Sequence, residues 1–290
     1  MARSIPNNMA DKVLPLEGDR PELHLSGPVL TQALEAVTTG AEALGGIERY
    51  VNALALKSKL FADTLLDGKA ATIELDALMG LCTFMSSVRR RIAPYLDTEG
   101  LATIRKGLGI LLDDRADTSS VDERMRAFAR LFPEDRKHSF VRDLAAEVLH
   151  YADPERYPLM CRWVWDAGTN TGALREMWFG DDVDHMIISV PDTYSTFLVL
   201  REELSGFLTT NGLYRDVLFY VDLLCAQVYS HYICAQGGTY LRADFASPQD
   251  PMQYTRRLLG LDGVEPKSGK TRLKSIDGTA FVLDDVQLLG

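Results

Sequence analysis

A mainly α, multi-helix bundle-like globular domain with a small C-terminal β-hairpin is the fold that this sequence predicts. Apolar residues return at three- and four-residue spacing through most of residues 26–260, the period of a helix face packed on a core. Gly, Pro and Asn breaks cut that pattern into segments of helix length. The character changes only near the end, where Thr271–Ile276 and Thr279–Leu283 flank Asp277-Gly278. Asp-Gly between two β-prone runs is a strong short hairpin signal.

With 290 residues, the chain can bury one large core or divide into about two domains. The reading adopted is a flexible N-terminal tail over 1–25, a helical domain over 26–260 and a hairpin extension over 261–290. Residues 1–25 contain three prolines and no sustained period, as loosely held termini do. Ser26-Gly27-Pro28 then starts a helix running towards Gly45, because a small polar residue followed by proline suits the first turn.

Ile47, Val51, Leu54, Ser58, Phe61 and Leu65 form the stripe of a second helix, which Gly68 ends. A third is expected from Thr72 to about Leu96, with Arg89, Arg90 and Arg91 in its last turn, where cations complement the negative helix end. A fourth covers Leu101–Leu112. Ser120-Val121-Asp122-Glu123 has the form of a capping box and predicts a helix over 121–131. Pro133 is expected to open the next, with Phe140, Val141, Leu144, Val148 and Tyr151 on its apolar face, and Pro154 to stop it.

Short helices over 158–167 and 172–179 are expected around Gly168-Thr169-Asn170-Thr171-Gly172, followed by an extended segment from His185 to Val190. Two long apolar helices, Pro191–Leu208 and Leu213–Ala235, come next, joined by Thr210-Asn211-Gly212. A short loop between such helices predicts an antiparallel pair. A small helix over 251–260 precedes the hairpin.

Composition narrows the function. A net charge of −10 with 25% charged residues argues against general binding to nucleic acid or to an anionic membrane. The apolar stretch Leu213–Gln236 is long enough to span a bilayer, but it carries Arg215, Asp216, Asp222 and His231 and is read as a core helix. No secretory signal opens the chain, so a cytoplasmic location is expected. Cys82, Cys161, Cys225 and Cys234 are widely spaced and are read as reduced, buried small hydrophobes.

Catalytic signatures are scarce, and the sequence leaves catalysis open. Lys267-Ser268-Gly269-Lys270-Thr271 lacks the leading glycine of a P-loop and runs into the hairpin instead of a helix. Glu147 and His150 have the spacing of a di-metal bundle ligand pair, with Asp143 one turn earlier, but no second such pair exists. Helical geometry turns all three away from the Phe140/Leu144/Val148 face, so they are expected on a solvated surface. Asp181-Asp182-Val183-Asp184-His185 is rich in oxygen ligands but has no calcium-loop spacing. No metal and no cofactor are expected. Asp222 is read as a structural hydrogen-bonding group on its helix. The C-terminal Arg256, Arg257, Lys267, Lys270, Arg272 and Lys274, against Asp262 and Glu265, form a local basic segment.

The strongest candidate site is aromatic. All three tryptophans, Trp163, Trp165 and Trp178, fall in one short stretch with Tyr157, Arg162, Asn170 and Arg175. Trp and Arg dominate interface anchors, although large aromatics also fill cores. The expected role is a soluble accessory or adaptor protein that binds a protein partner through residues 150–185. The alternative is an enzyme or small-molecule sensor with a pocket between 157–178 and the 213–236 helix. There, Arg162 or Arg175 would hold a small anionic ligand, and Asp222 or His150 would handle protons.

Overall fold

The computed structural model describes residues 20–180, 186–236, 252–265, 268–274 and 279–283, and among these described residues the chain forms ten α-helices and one two-stranded antiparallel sheet. The mainly α fold with a C-terminal hairpin is the one predicted. Helix α1 (Gly27–Glu42) starts after Ser26 with Pro28 in its first turn and buries Leu30, Ala33, Val37 and Ala41. Helix α2 (Ile47–Leu65) buries Tyr50, Val51, Leu54, Phe61 and Leu65, and also Lys57. Those five apolar residues mark one side of a helix, and Lys57 lies on that same side.

The expected third helix is cut short. Helix α3 covers Leu75–Thr83, and the chain continues through successive turns to a 3₁₀ segment at Ala93–Tyr95. Met85, Val88 and Ile92 stay buried, because tight turns keep nearly the same spacing as a helix. Two features account for the break. The Arg89 guanidinium folds back onto the Thr83 carbonyl at 3.3 Å, and the backbone of residues 260–263 lies against Thr83 and Phe84. A Cβ on Gly260 would stand 1.8 Å from the Phe84 oxygen, and one on Gly263 2.6 Å from the Thr83 oxygen.

Helix α4 (Thr98–Leu112) begins three residues earlier than expected, because Asp97 accepts from the Gly100 amide at 2.7 Å and caps it. Helix α5 (Val121–Ala129) does not use the Ser120 capping box. Asp117 accepts from the Ser119 amide one turn earlier and starts a 3₁₀ turn that leads into the helix. Pro133 does not open the next helix either. Asp135 caps a 3₁₀ turn at Arg136–His138 through the amides of Lys137 and His138. Helix α6 (Phe140–Ala152) follows and stops before Pro154.

Only Ala173–Glu176, here α7, is helical in the tryptophan region. Helices α8 (Tyr194–Thr210) and α9 (Val217–Gln236) pack on each other. Helix α9 is long and apolar enough to cross a membrane by length and composition; in the fold it packs against α1, α2, α7, α8 and the short α10 (Gln253–Leu258). Strand β1 (Lys270–Lys274) pairs with β2 (Ala280–Val282) and packs on α3. The Asp277-Gly278 turn lies outside the described residues. Lys270 opens a strand rather than following a phosphate loop. Residues 20–25, read from the sequence as tail, run against the tryptophan region. Leu25 bridges Trp178, and the Phe179 amide donates to the His24 carbonyl at 2.7 Å. Cys82, Cys161 and Cys225 are buried free thiols as expected, but Cys234 is exposed near the end of α9.

Gly260 (φ 73°) and Gly212 (φ 88°) share a left-handed backbone, but only Gly260 is crowded. Gly260→Ala is expected to cost about 3 kcal/mol or more, since backbone must move. Gly212→Ala should cost about 1 kcal/mol from the conformation alone. Urea unfolding of the two variants measures the difference, and equal losses would contradict the close backbone approach.

Candidate functional site

Helix α6 is buried on all sides. Asp143, Glu147 and His150 are only 2%, 3% and 2% exposed, so the expected solvated face is instead the most heavily charged part of the interior. The physical reason is position: α2, α4 and α5 pack around α6, and the 157–162 segment and α9 close its remaining side. Each of the three groups is matched by a partner from a distant part of the chain, as buried ionisable groups must be.

Asp143 accepts from the Arg162 backbone amide at 2.9 Å and from its guanidinium at 2.8 Å. Burial works against the Arg162 charge, but Asp143 outweighs it and holds the guanidinium pKa above its ordinary value. Glu147 accepts from Lys57 at 2.8 Å. The Lys57 ammonium is fully buried; it also donates to the Leu259 carbonyl at 2.9 Å and stands 3.7 Å from the centre of the Tyr151 ring. Burial pushes Lys57 down and Glu147 up, and each opposes the other's shift through their charge attraction. Glu147 Oε1 and the Tyr151 hydroxyl lack hydrogen-bond partners in the described structure. Burial, with Asp222 and Glu147 nearby, holds the Tyr151 hydroxyl well above its usual range.

His150 joins the third distant segment. Its Nδ1 lies 2.8 Å from the Tyr157 carbonyl and its Nε2 2.8 Å from Asp222 Oδ2 on α9. Both neighbours accept, so Nδ1 carries a proton and a second proton lies between Nε2 and Oδ2. Asp222 is therefore the structural hydrogen-bonding group expected, and its partner is on another helix. A cavity of about 20 Å³ lies beside the pair, walled by Leu159, Val164, Val221 and Cys225. That is room for a single water molecule. Elsewhere along the seam between the tryptophan region and α9, Trp163 lies against Tyr229 with ring centres 6.3 Å apart, and a cleft of about 400 Å³ opens between α1, Glu176 and the Gln227–His231 stretch of α9.

The aromatic segment is less helical than expected because its polar groups are spent on fixing its path. Residues 158–161 have no regular structure and 162–164 form a turn, tied by the Arg162–Asp143 contacts. Gly172 has φ 127°, and a Cβ there would meet the Val164 oxygen at 2.7 Å. Trp165 is fully buried and donates from Nε1 to the Val190 carbonyl at 3.0 Å. Tyr157 is also fully buried; its hydroxyl donates to the Arg115 carbonyl and accepts from Arg124. Trp178 packs edge-on against His24. Of the predicted anchors, Tyr157 and Trp165 are core, Arg162 is an ion-pair partner, and Trp163 and Trp178 are half-buried.

Asn170 and Arg175 do something different. Both donate to the Met186 carbonyl, at 3.0 and 2.9 Å, and Asn170 Oδ1 accepts from the Ile188 amide at 3.1 Å. Asn170 adopts φ 52° to reach them, a conformation that Asn tolerates. The clamp leaves Ile187 80% exposed, next to Met186 at 39%, with Phe179 at 66%. These apolar positions carried no special signal in the sequence. Asp181–His185 lies outside the described residues, and among the described residues no three His, Cys, Asp or Glu side chains are grouped to hold a metal.

No protein-family model, curated protein or solved structure matches this chain.

Removing one member of the Lys57–Glu147 pair should cost about 3–5 kcal/mol, whereas the Lys57→Met/Glu147→Met double variant should recover most of that loss. The pH dependence has a defined sign. Lys57 lowers the Glu147 pKa, so Lys57→Met raises it further above the ordinary 4.5. A raised folded-state pKa gives stability at low pH that is lost as pH rises. Lys57→Met should therefore be closest to wild type near about pH 5 and fall behind it towards about pH 8. Urea unfolding across that range checks this; a pH-independent deficit would contradict it.

Proposed function

We propose that the chain is an accessory or adaptor protein that docks another protein through the outer edge of the 150–185 region and the segment that follows it. The observation that carries this reading is the clamp of Asn170 and Arg175 on residues 186–188, which presents Ile187 outward at 80% exposure. Phe179, Met186 and Ile187 are three of the six large exposed hydrophobics among the described residues and lie within nine sequence positions of one another. Grouped apolar exposure of this kind marks interaction sites on soluble folds.

The clamp gives the exposure a use. A side chain held on a fixed backbone loses less freedom on binding than one on a loose loop. Burying an isoleucine or phenylalanine contributes about 1.5–3 kcal/mol, enough for a central anchor. In this reading Ile187 and Phe179 are the anchors, and Asn170 and Arg175 are positioning residues. Tyr157, Arg162 and Trp165 support the surface from within rather than meeting the partner.

Photocrosslinking in cells from an unnatural residue at position 187 is the test. A single stoichiometric protein partner is expected, and Ile187→Asp should weaken its binding at least tenfold, about 1.4 kcal/mol, without lowering the melting temperature. Asn170→Ala should weaken binding by loosening the clamp. Crosslinks to a second copy alone, or binding unchanged in Ile187→Asp, would overturn the reading.

A further inference from the structure

A second surface, far from the clamp in sequence, has the opposite chemistry. The start of α2, helix α10 and strand β1 enclose a cleft of about 510 Å³, within the range of small-molecule sites. Arg49, Arg256, Lys270 and Arg272 line it, against Asp262 and Glu265. That excess of positive charge stands on a chain whose net charge is −10.

The two acids in the cleft are already engaged. Asp262 Oδ1 accepts from the buried Arg89 at 2.8 Å, while its Oδ2 lies 3.3 Å from Arg272 and 3.6 Å from Arg257. One carboxylate thus answers three guanidinium groups. Glu265 accepts from the Ser268 hydroxyl at 2.5 Å. Arg49 donates to the neutral Leu44 carbonyl at 2.7 Å, and Lys270 has no acid partner among the described residues. Among the described residues, Arg49 on α2 and Lys270 on β1 thus face one cleft from two separate stretches with no acid partner, beside an Arg272 that shares Asp262 with other cations.

We propose that this cleft binds a small phosphate-bearing anion. A phosphate group offers three acceptor oxygens in different directions, which suits cations converging from several sides better than a planar carboxylate does. Arginine forks bind such oxygens in pairs, and lysine adds a point charge. Tyr50 and Leu261 supply a less polar wall for the uncharged part of the ligand. Recognition is by side chains, so the missing P-loop glycine and the strand after Lys270 do not weigh against it. The proposal concerns a different surface from the protein-docking edge and does not depend on it.

Isothermal titration of the full-length protein with inorganic pyrophosphate, at about 0.15 M salt so that exposed charges are screened beyond about 8 Å, tests the proposal. One saturable site is expected, weakened at least tenfold by Arg49→Ala and by Lys270→Ala, and unaffected by Lys274→Ala on the same strand. Citrate should bind more weakly than pyrophosphate. Lys270 is exposed on the strand, so Lys270→Ala and Lys270→Glu keep the test decisive even if Arg49→Ala unfolds. Absence of saturable binding, full binding in both Lys270 variants, or tighter binding of citrate would each overturn the assignment.

Discussion

Helix α6 cannot be buried unless its charges are matched, and this requirement sets the arrangement of the rest of the molecule. Asp143, Glu147 and His150 occupy successive turns of one helix with almost no solvent exposure. Leaving any of them without a partner would cost several kcal/mol. Asp143 therefore fixes the chain at Arg162, Glu147 fixes α2 at Lys57, and His150 fixes both Tyr157 and α9 at Asp222. Hydrophobic burial supplies most of the driving force, but it is tolerant of small slips. Three matched polar contacts are not, so they select one register among packings of similar apolar area.

The same reasoning explains which features of the fold were legible in the sequence. Helices α1, α2, α8 and α9 show clear periodicity with Pro or Gly punctuation, and the hairpin strands flank a strong turn pair. The α6 charges were misplaced because periodicity sorts polar residues outward, whereas the compensating groups lie 90 and 72 residues away for Lys57–Glu147 and His150–Asp222. Lys57 was the available clue. It sits on the buried side of α2 with Leu54 and Phe61, where a lysine needs a partner. The end of α3 was illegible for a related reason: only the approach of Gly260 and Gly263 to Thr83 and Phe84 makes the break intelligible.

Composition drew attention to the tryptophan segment, and the structure divides its residues by role. Trp165 and Tyr157 fill the core, Arg162 answers Asp143, and Asn170 and Arg175 hold the next segment in place. The exposed apolar side chains they present, Met186 and Ile187, had no distinctive sequence signature, because one Met and two Ile in a short run are unremarkable. Towards the C-terminus, the Leu259 carbonyl accepts from Lys57 and Asp262 accepts from Arg89. The segment that shapes the basic cleft is thus tied directly to the buried charges. Surface and interior are linked by the same few ionic contacts.

The central claim is that α6 is held by charged partners rather than by apolar packing alone, and His150 reports on it most directly. Nitrogen-15 NMR of the histidine side chain should find a ring proton on Nδ1 protected from exchange with water, and a second proton in the bond between Nε2 and Asp222. Asp222→Asn should alter the second signal and leave the first. Ring protons that exchange freely with solvent, or a His150 spectrum indifferent to Asp222→Asn, would contradict the buried pair and with it this account of how the helices are arranged.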